Sequence, residues 1–156
     1  MTQIRTVEQW AAEPLAALVR EAGARLSLLT TPSGQVIAQY GFTRSVDVMA
    51  AAALGAGIVS STAQIAAMLE ETGAIALNHQ GSEHGIFIST FDSPRGQLLV
   101  LVVYGIESSP GLVQLFFEDF VDEVARVCPA PDSRRVVLAE NFENELNSNL
   151  ATLFGR

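Results

Sequence analysis

A chain of 156 residues, 49% of them hydrophobic, is long enough to bury a real core and too apolar to be disordered throughout. Nine basic residues against seventeen acidic ones leave a net charge of −8. The basic residues are scattered, which argues against nucleic acid or an anionic membrane surface as partner, since both require a clustered cationic footprint.

In chain order, Thr6-Val7-Glu8-Gln9 has the form of a capping box and opens a helix whose apolar stripe is Val7, Trp10, Ala11, Leu15, Leu18 and Val19. Pro14 should kink or restart it, and Gly23 ends it. Two apolar runs, Arg25 to Thr30 and Gln35 to Tyr40, flank Pro32-Ser33-Gly34 and read as a β-hairpin. A long helix of small residues follows from Asp47 to Glu71, with Thr72-Gly73 as its stop. Three strands then come in succession, divided by turns at Gly81-Ser82 and at Ser93-Pro94-Arg95-Gly96. Leu98 to Tyr104 is apolar at every position, which marks a central strand with helices on both sides. An amphipathic helix carries Leu112, Phe116, Phe120, Val124 and Val127 on one face, and Pro129 to Asp132 reads as a linker to a tail.

The long helix raises the main functional question. From Val48 to Leu69 it carries no charge, a length that spans a bilayer. Ser60, Ser61, Thr62 and Gln64 at its middle, and acidic Asp47, Glu70 and Glu71 at its ends, argue against a membrane helix. On a helical wheel Leu54, Ile58, Ile65, Met68 and Leu69 form one side, the expected core face. The other side presents Ala52, Ala56, Val59, Ser60, Ala63 and Ala67, where a free surface helix would carry Lys, Glu or Gln. That small-residue side is read as a protein-binding face, the alternative being burial within the monomer.

Ala74 to Gln80 should be an edge strand, and it has no Lys or Pro to guard against edge pairing. A twofold dimer through Ala74, Ile75, Ala76, Leu77 and Asn78, with Ala67 of the long helix, is the expected assembly. In the tail, Phe142, Leu146, Leu150, Leu153 and Phe154 share one helical stripe. Burying five such side chains is worth about 8–15 kcal/mol gross. Ordering the residues that carry them costs a similar amount. A segment so balanced suits docking in a partner's groove, with folding back on its own domain as the alternative.

Motifs for chemistry are weak. Gly55-Ala56-Gly57 lacks the Gly-Lys-Ser/Thr and the preceding strand of a phosphate loop. His79, Glu83 and His84 share one turn but do not make a metal set, because three or four ligands must converge. There is no nucleophile-elbow pattern, and Cys128 before Pro129 reads as a packing residue. A single cysteine closes no intrachain disulfide, and the opening MTQIRTVEQW has no apolar signal-peptide core, so the cytoplasm is expected. No cofactor and no metal are expected.

Together, ARLSLLTTPSGQVIA, LGAGIVSSTAQIAAML, HQG (His79 to Gly81), SPGLVQL (Ser109 to Leu115) and an acidic tail ending LFGR resemble the Roadblock (dynein light chain) domain family, and more closely its bacterial MglB type. The expected fold is α/β: a three-layer α/β/α sandwich around a five-stranded, mostly antiparallel sheet, with a C-terminal tail helix. The expected division is a domain at 1–128, a linker at 129–139 and a docking helix at 140–156. The resemblance implies a homodimer joined at the third strand, with one MglA-type small GTPase seated across the paired long helices. It also implies acceleration of GTP hydrolysis by remodelling of the GTPase, without an arginine finger, in cell polarity or gliding motility. By analogy Ala52, Ala56, Val59, Ser60 and Ala63 contact the GTPase, and the tail helix docks on it separately. Such a protein is a regulator and not itself an enzyme. A non-activating Roadblock scaffold and a PAS- or GAF-like small-molecule sensor are the alternatives, the latter needing a cavity with convergent polar groups.

Overall fold

The computed structural model describes residues 8–41, 47–130 and 144–153. A short 3-10 helix, Gln9–Ala11, leads into α1, Ala12–Ala22. Then come β1 (Ala24–Thr30), β2 (Val36–Tyr40), α2 (Val48–Met68), β3 (Ala76–Gln80), β4 (His84–Ser93), β5 (Gly96–Gly105) and α3 (Pro110–Val127). Residues 144–153 form a further helix, exposed along its whole length.

Local chemistry explains the boundaries. Thr6 and Val7 of the expected capping box lie outside the described residues. Pro14 is the third residue of α1, where its nitrogen owes no intrahelical bond, so the helix restarts at Ala12 without a kink. Gly23 closes α1 in the left-handed conformation, φ 64°. Asp47 caps α2 by accepting from the amides of Met49 and Ala50 at 3.0 and 3.3 Å. The helix stops at Met68, short of the expected Thr72-Gly73. The Glu71 amide donates to the Ala66 carbonyl and the Glu70 amide to Ala67, with Glu70 itself at φ 58°, a Schellman closure without glycine. Ser109 caps α3 through the Leu112 amide at 3.2 Å, with Pro110 at the first helical position.

The sheet order is β2-β1-β5-β4-β3, and every neighbouring pair is antiparallel. β5 is central, as its unbroken apolar run requires. Alternate side chains feed two cores. Val100, Val102 and Tyr104 join Leu15, Leu18 and Phe117 beneath α1 and α3. Leu99 and Leu101 join Leu28, Ala52 and Val59 on the α2 side. The first core is keyed by aromatic edges, with Phe87 and Phe91 meeting the Phe117 ring at centroid distances of 5.2 and 6.0 Å.

One contact ties the centre of the sheet to its edge. The Tyr104 ring lies across Gly85 of β4, and its hydroxyl donates to Asn78 Oδ1 of β3 at 2.9 Å. A Cβ on Gly85 would stand 2.1 Å from Tyr104 Cζ, so only glycine fits. Gly85→Ala should therefore destabilise the domain by about 1–3 kcal/mol. The urea midpoint should fall with an unchanged m value.

Candidate functional site

The candidate site is the α2 side of the sheet, and α2 lies on it the opposite way from the wheel-based expectation. Ala52, Gly55, Ala56 and Val59 face the sheet and are buried, Ala52 at 1% exposure. Leu54, Ile58, Ile65, Met68 and Leu69, the expected core face, are exposed, Met68 at 83%. The physical reason is closeness of approach. A Cβ on Gly34, in the β1–β2 turn, would meet the Ala52 carbonyl oxygen at 3.4 Å, and one on Gly55 would meet Leu101 Cδ1 at 3.5 Å. These are ordinary van der Waals distances, so the helix already rests in contact with the turn and with Leu101, its small side chains and Val59 fill the space beneath it, and the large side chains are turned outward.

The expected GTPase-contact residues therefore divide. Ala52, Ala56 and Val59 are spent on the chain's own core and cannot also be a free face, which corrects the sequence reading. Ser60 and Ala63 are exposed, as is Ala67. In the tail Leu146, Leu150 and Leu153 are exposed on the 144–153 helix, while Phe142 and Phe154 lie outside the described residues.

The expected dimer strand starts two residues later than anticipated. Ala74 and Ile75 precede β3, and Ile75 anchors it, its amide donating to Thr90 Oγ1 at 2.9 Å and its carbonyl accepting from the Thr90 amide at 2.8 Å. β3 pairs with β4 along one edge and ends the sheet. Ala76 and Asn78 are exposed and Leu77 half-buried, so an unguarded strand edge adjoins the exposed end of α2.

Sequence reasoning missed the groove beside α2. Because α2 lies toward the Leu99 end of the strands, the Arg25–His84 end is left bare. There Leu26, Ile86 and Val103 of the sheet, with Leu54 and Ile58 of α2, line a groove of about 410 Å³. At its mouth Arg25 Nη1 donates to His84 Nε2 at 2.7 Å, so the imidazole is the acceptor there. Arg25 Nε also donates to Glu107 Oε1 at 3.1 Å, which holds the Glu107 carboxyl below the usual carboxylate range. This ion pair is half exposed and serves as a rim. The lining is apolar apart from that rim, unlike the convergent polar set of a small-molecule sensor. An alternating signal was present in Leu26, Leu28, Leu99, Leu101 and Val103, but periodicity does not say how much of a face a helix covers.

Little else here is built for chemistry. Among the described residues no three His, Cys, Asp or Glu side chains converge as a metal set. Cys128 is buried at the end of α3, and burial pushes its thiol pKa up, away from the thiolate. α2 is long and apolar enough to cross a membrane by length and composition, with mean hydropathy 1.5 over an 18-residue window of which 22% is buried.

This path of the chain, five antiparallel strands with α1 and α3 on one face and α2 on the other, is the Roadblock fold of the MglB type. MglB from Myxococcus xanthus is similar with a TM-score of 0.69 and 23% identity, over 76% of this chain and 94% of that one. The gliding protein MglB of Thermus thermophilus is similar with a TM-score of 0.64 and 27% identity, over 76% of this chain and 88% of that one. A Roadblock/LC7 domain from Streptomyces avermitilis is similar with a TM-score of 0.63 and 18% identity, over 72% of this chain and 92% of that one. No protein-family model and no curated protein matches the sequence.

The inverted orientation of α2 can be checked with two substitutions. Val59→Asp should cost roughly 2–7 kcal/mol, because it places a polar group in the core without a partner. Leu54→Asp should leave the far-UV circular dichroism of a folded domain. The reverse pattern would show that the large side chains are the buried ones.

Proposed function

We propose that this protein is a homodimeric, non-catalytic regulator of a small Ras-like GTPase of the MglA type, accelerating GTP hydrolysis in the cytoplasm in the service of cell polarity or motility. The observation that carries the reading is the bare apolar half of the α2 side, adjoining the unpaired edge of β3. The likeness to a gliding MglB at 27% identity supports an MglB-type regulator, and the small GTPase as partner is what the family resemblance of the sequence implies.

A twofold axis normal to the sheet, through paired β3 edges, explains the bare surface. Such an axis exchanges the two ends of the strands. The partner's α2 then runs over the Arg25–His84 end that each protomer's own α2 leaves open. Leu54 and Ile58 meet the partner helix, and Ile65, Met68 and Leu69 cover its groove. The dimer strand carries Ala74, Ile75, Ala76, Leu77 and Asn78, with Ala67 nearby. The GTPase is seated across the outward faces of the paired helices, where Ser60 and Ala63 remain available. Domain 1–128, linker 129–139 and docking helix 140–156 form the working division. The stripe of Leu146, Leu150 and Leu153, with Phe142 and Phe154, makes a second contact with the GTPase.

Light scattering at micromolar concentration should give twice the chain mass. Ala76→Pro, which removes a donor on the open edge because the odd-numbered residues of β3 give their backbone groups to β4, should give a folded monomer. A monomeric wild type would end the dimer reading.

With an MglA-type GTPase loaded with GTP, the protein should speed hydrolysis. Ser60→Arg should lower binding by at least tenfold, about 1.4 kcal/mol, with the dimer intact. Leu146→Ala with Leu150→Ala should weaken stimulation through loss of the second contact. Binding without any change in hydrolysis rate would leave a scaffold instead of an activator.

A further inference from the structure

The rim of the groove beside α2 holds more donors than its own chain uses. Arg25 gives Nε to Glu107 and Nη1 to His84, and among the described residues its Nη2 donors meet no acceptor. His84 accepts at Nε2, which puts the ring proton on Nδ1, and that donor is likewise unused among the described residues. Both side chains stand at the mouth of the apolar groove, so a segment that fills it meets them with its polar end.

The far end of α2 has the opposite surplus. Glu70 takes the left-handed conformation, φ 58°, a position that glycine or asparagine normally fills. Glu70 and Glu71 also set two carboxylates at the negative end of the helix dipole, where a cation is favoured. Both are exposed, and neither has an ion-pair partner among the described residues. They directly follow Met68 and Leu69, the large apolar side chains at the free end of the helix.

The two surpluses come together across a twofold axis. Ala63 and Ala66 share a cavity with Ala74 and Ile75, just before β3, so α2 has reached the edge of its own sheet there. Glu70 lies four residues further on, about 6 Å at the helical rise. The partner's β4 would stand two strand spacings beyond β3, about 10 Å, and a glutamate side chain spans the difference. Heights along the strands agree as well. Asn78, the middle of β3, pairs with Phe87, and His84 and Thr90 lie three residues to either side of Phe87. An axis at Asn78 thus sets the partner's His84 level with Thr90, the residue that holds Ile75.

We propose that Glu70 and Glu71 of each subunit bind the partner's Arg25 and His84, clasping the end of α2 at the rim of the groove it covers. The inference rests on the dimer reading above and adds what sets its register and its choice of second chain. Apolar helix faces carry no direction, whereas two charged clasps related by the axis admit one arrangement and one charge pattern.

The test mixes two variants of the full-length chain. In an Arg25→Glu homodimer both clasps set carboxylate against carboxylate. In a homodimer of Glu70→Arg with Glu71→Arg both set arginine against arginine. Each variant alone should dimerise about tenfold more weakly than the wild type at low salt. The mixed dimer regains two attractive clasps, one native and one inverted. Its dissociation constant should return to within about threefold of the wild-type value, read by energy transfer between N-terminally labelled chains. An intrachain contact between Glu70 and Arg25 would gain nothing from mixing. Should a charge-reversed chain lose its circular dichroism, Glu70→Gln with Glu71→Gln takes its place. The wild-type dimer should then weaken as salt rises from about 0.05 to about 0.5 M, and the glutamine variant should lose most of that dependence. A mixed dimer no tighter than the two homodimers, or an unchanged salt dependence, overturns the clasp and leaves the dimer reading standing. A wild type that is monomeric throughout overturns both.

Discussion

Strand β5 carries an apolar side chain at each position from Leu98 to Tyr104, so both faces of the sheet call for cover along it. Its alternate residues demand two separate cores, and the rest of the fold supplies them unequally. α1 and α3 cover one face with an interlocked set of phenylalanines. The other face receives a single helix laid across one end of the strands. Tyr104 extends the influence of β5 outward, since its hydroxyl reaches Asn78 over Gly85 and binds the edge strand to the centre.

Unequal cover is the source of the candidate surface. A helix built of alanine and glycine sits close to the sheet, but it buries little area per residue and leaves the Arg25–His84 end uncovered. Its own large side chains then point to solvent next to bare sheet. Exposed apolar area of this extent is characteristic of a surface that another protein covers. The chain has no lysine to guard the edge of β3, and the long uncharged run of α2 supplies no repulsion against a second copy.

The two sides of the sheet therefore present opposite chemistry. The α2 side is apolar along the helix, with an Arg25–His84–Glu107 cluster at one rim and acidic residues only at the helix ends, Asp47, Glu70 and Glu71. The α1–α3 side collects carboxylates, four of them around one groove. Two of those four carboxylates are paired with Arg20 and Arg126, and Glu21 and Asp119 stand across the sheet from the surface where a second subunit is proposed. The described residues offer broad surfaces in place of a deep polar cleft.

By itself the sequence determined the order of elements, the turns and the central place of β5. These follow from local rules: turn residues and an unbroken apolar run carry their meaning within a few positions. The edge position of β3 was legible for the same reason, because short turns leave antiparallel strands few orders of pairing. The face of α2 was not legible. Both of its sides are apolar, so periodicity carries no arrow, and the rule that large side chains go inward assumes a single core to receive them. Only the tertiary structure decided the matter, by packing Ala52, Gly55, Ala56 and Val59 against the β1–β2 turn and Leu101 and leaving Leu54 and Ile58 outside. The two grooves were hidden for a related reason, since each is the gap left between packed elements, and no single segment encodes the space between its neighbours.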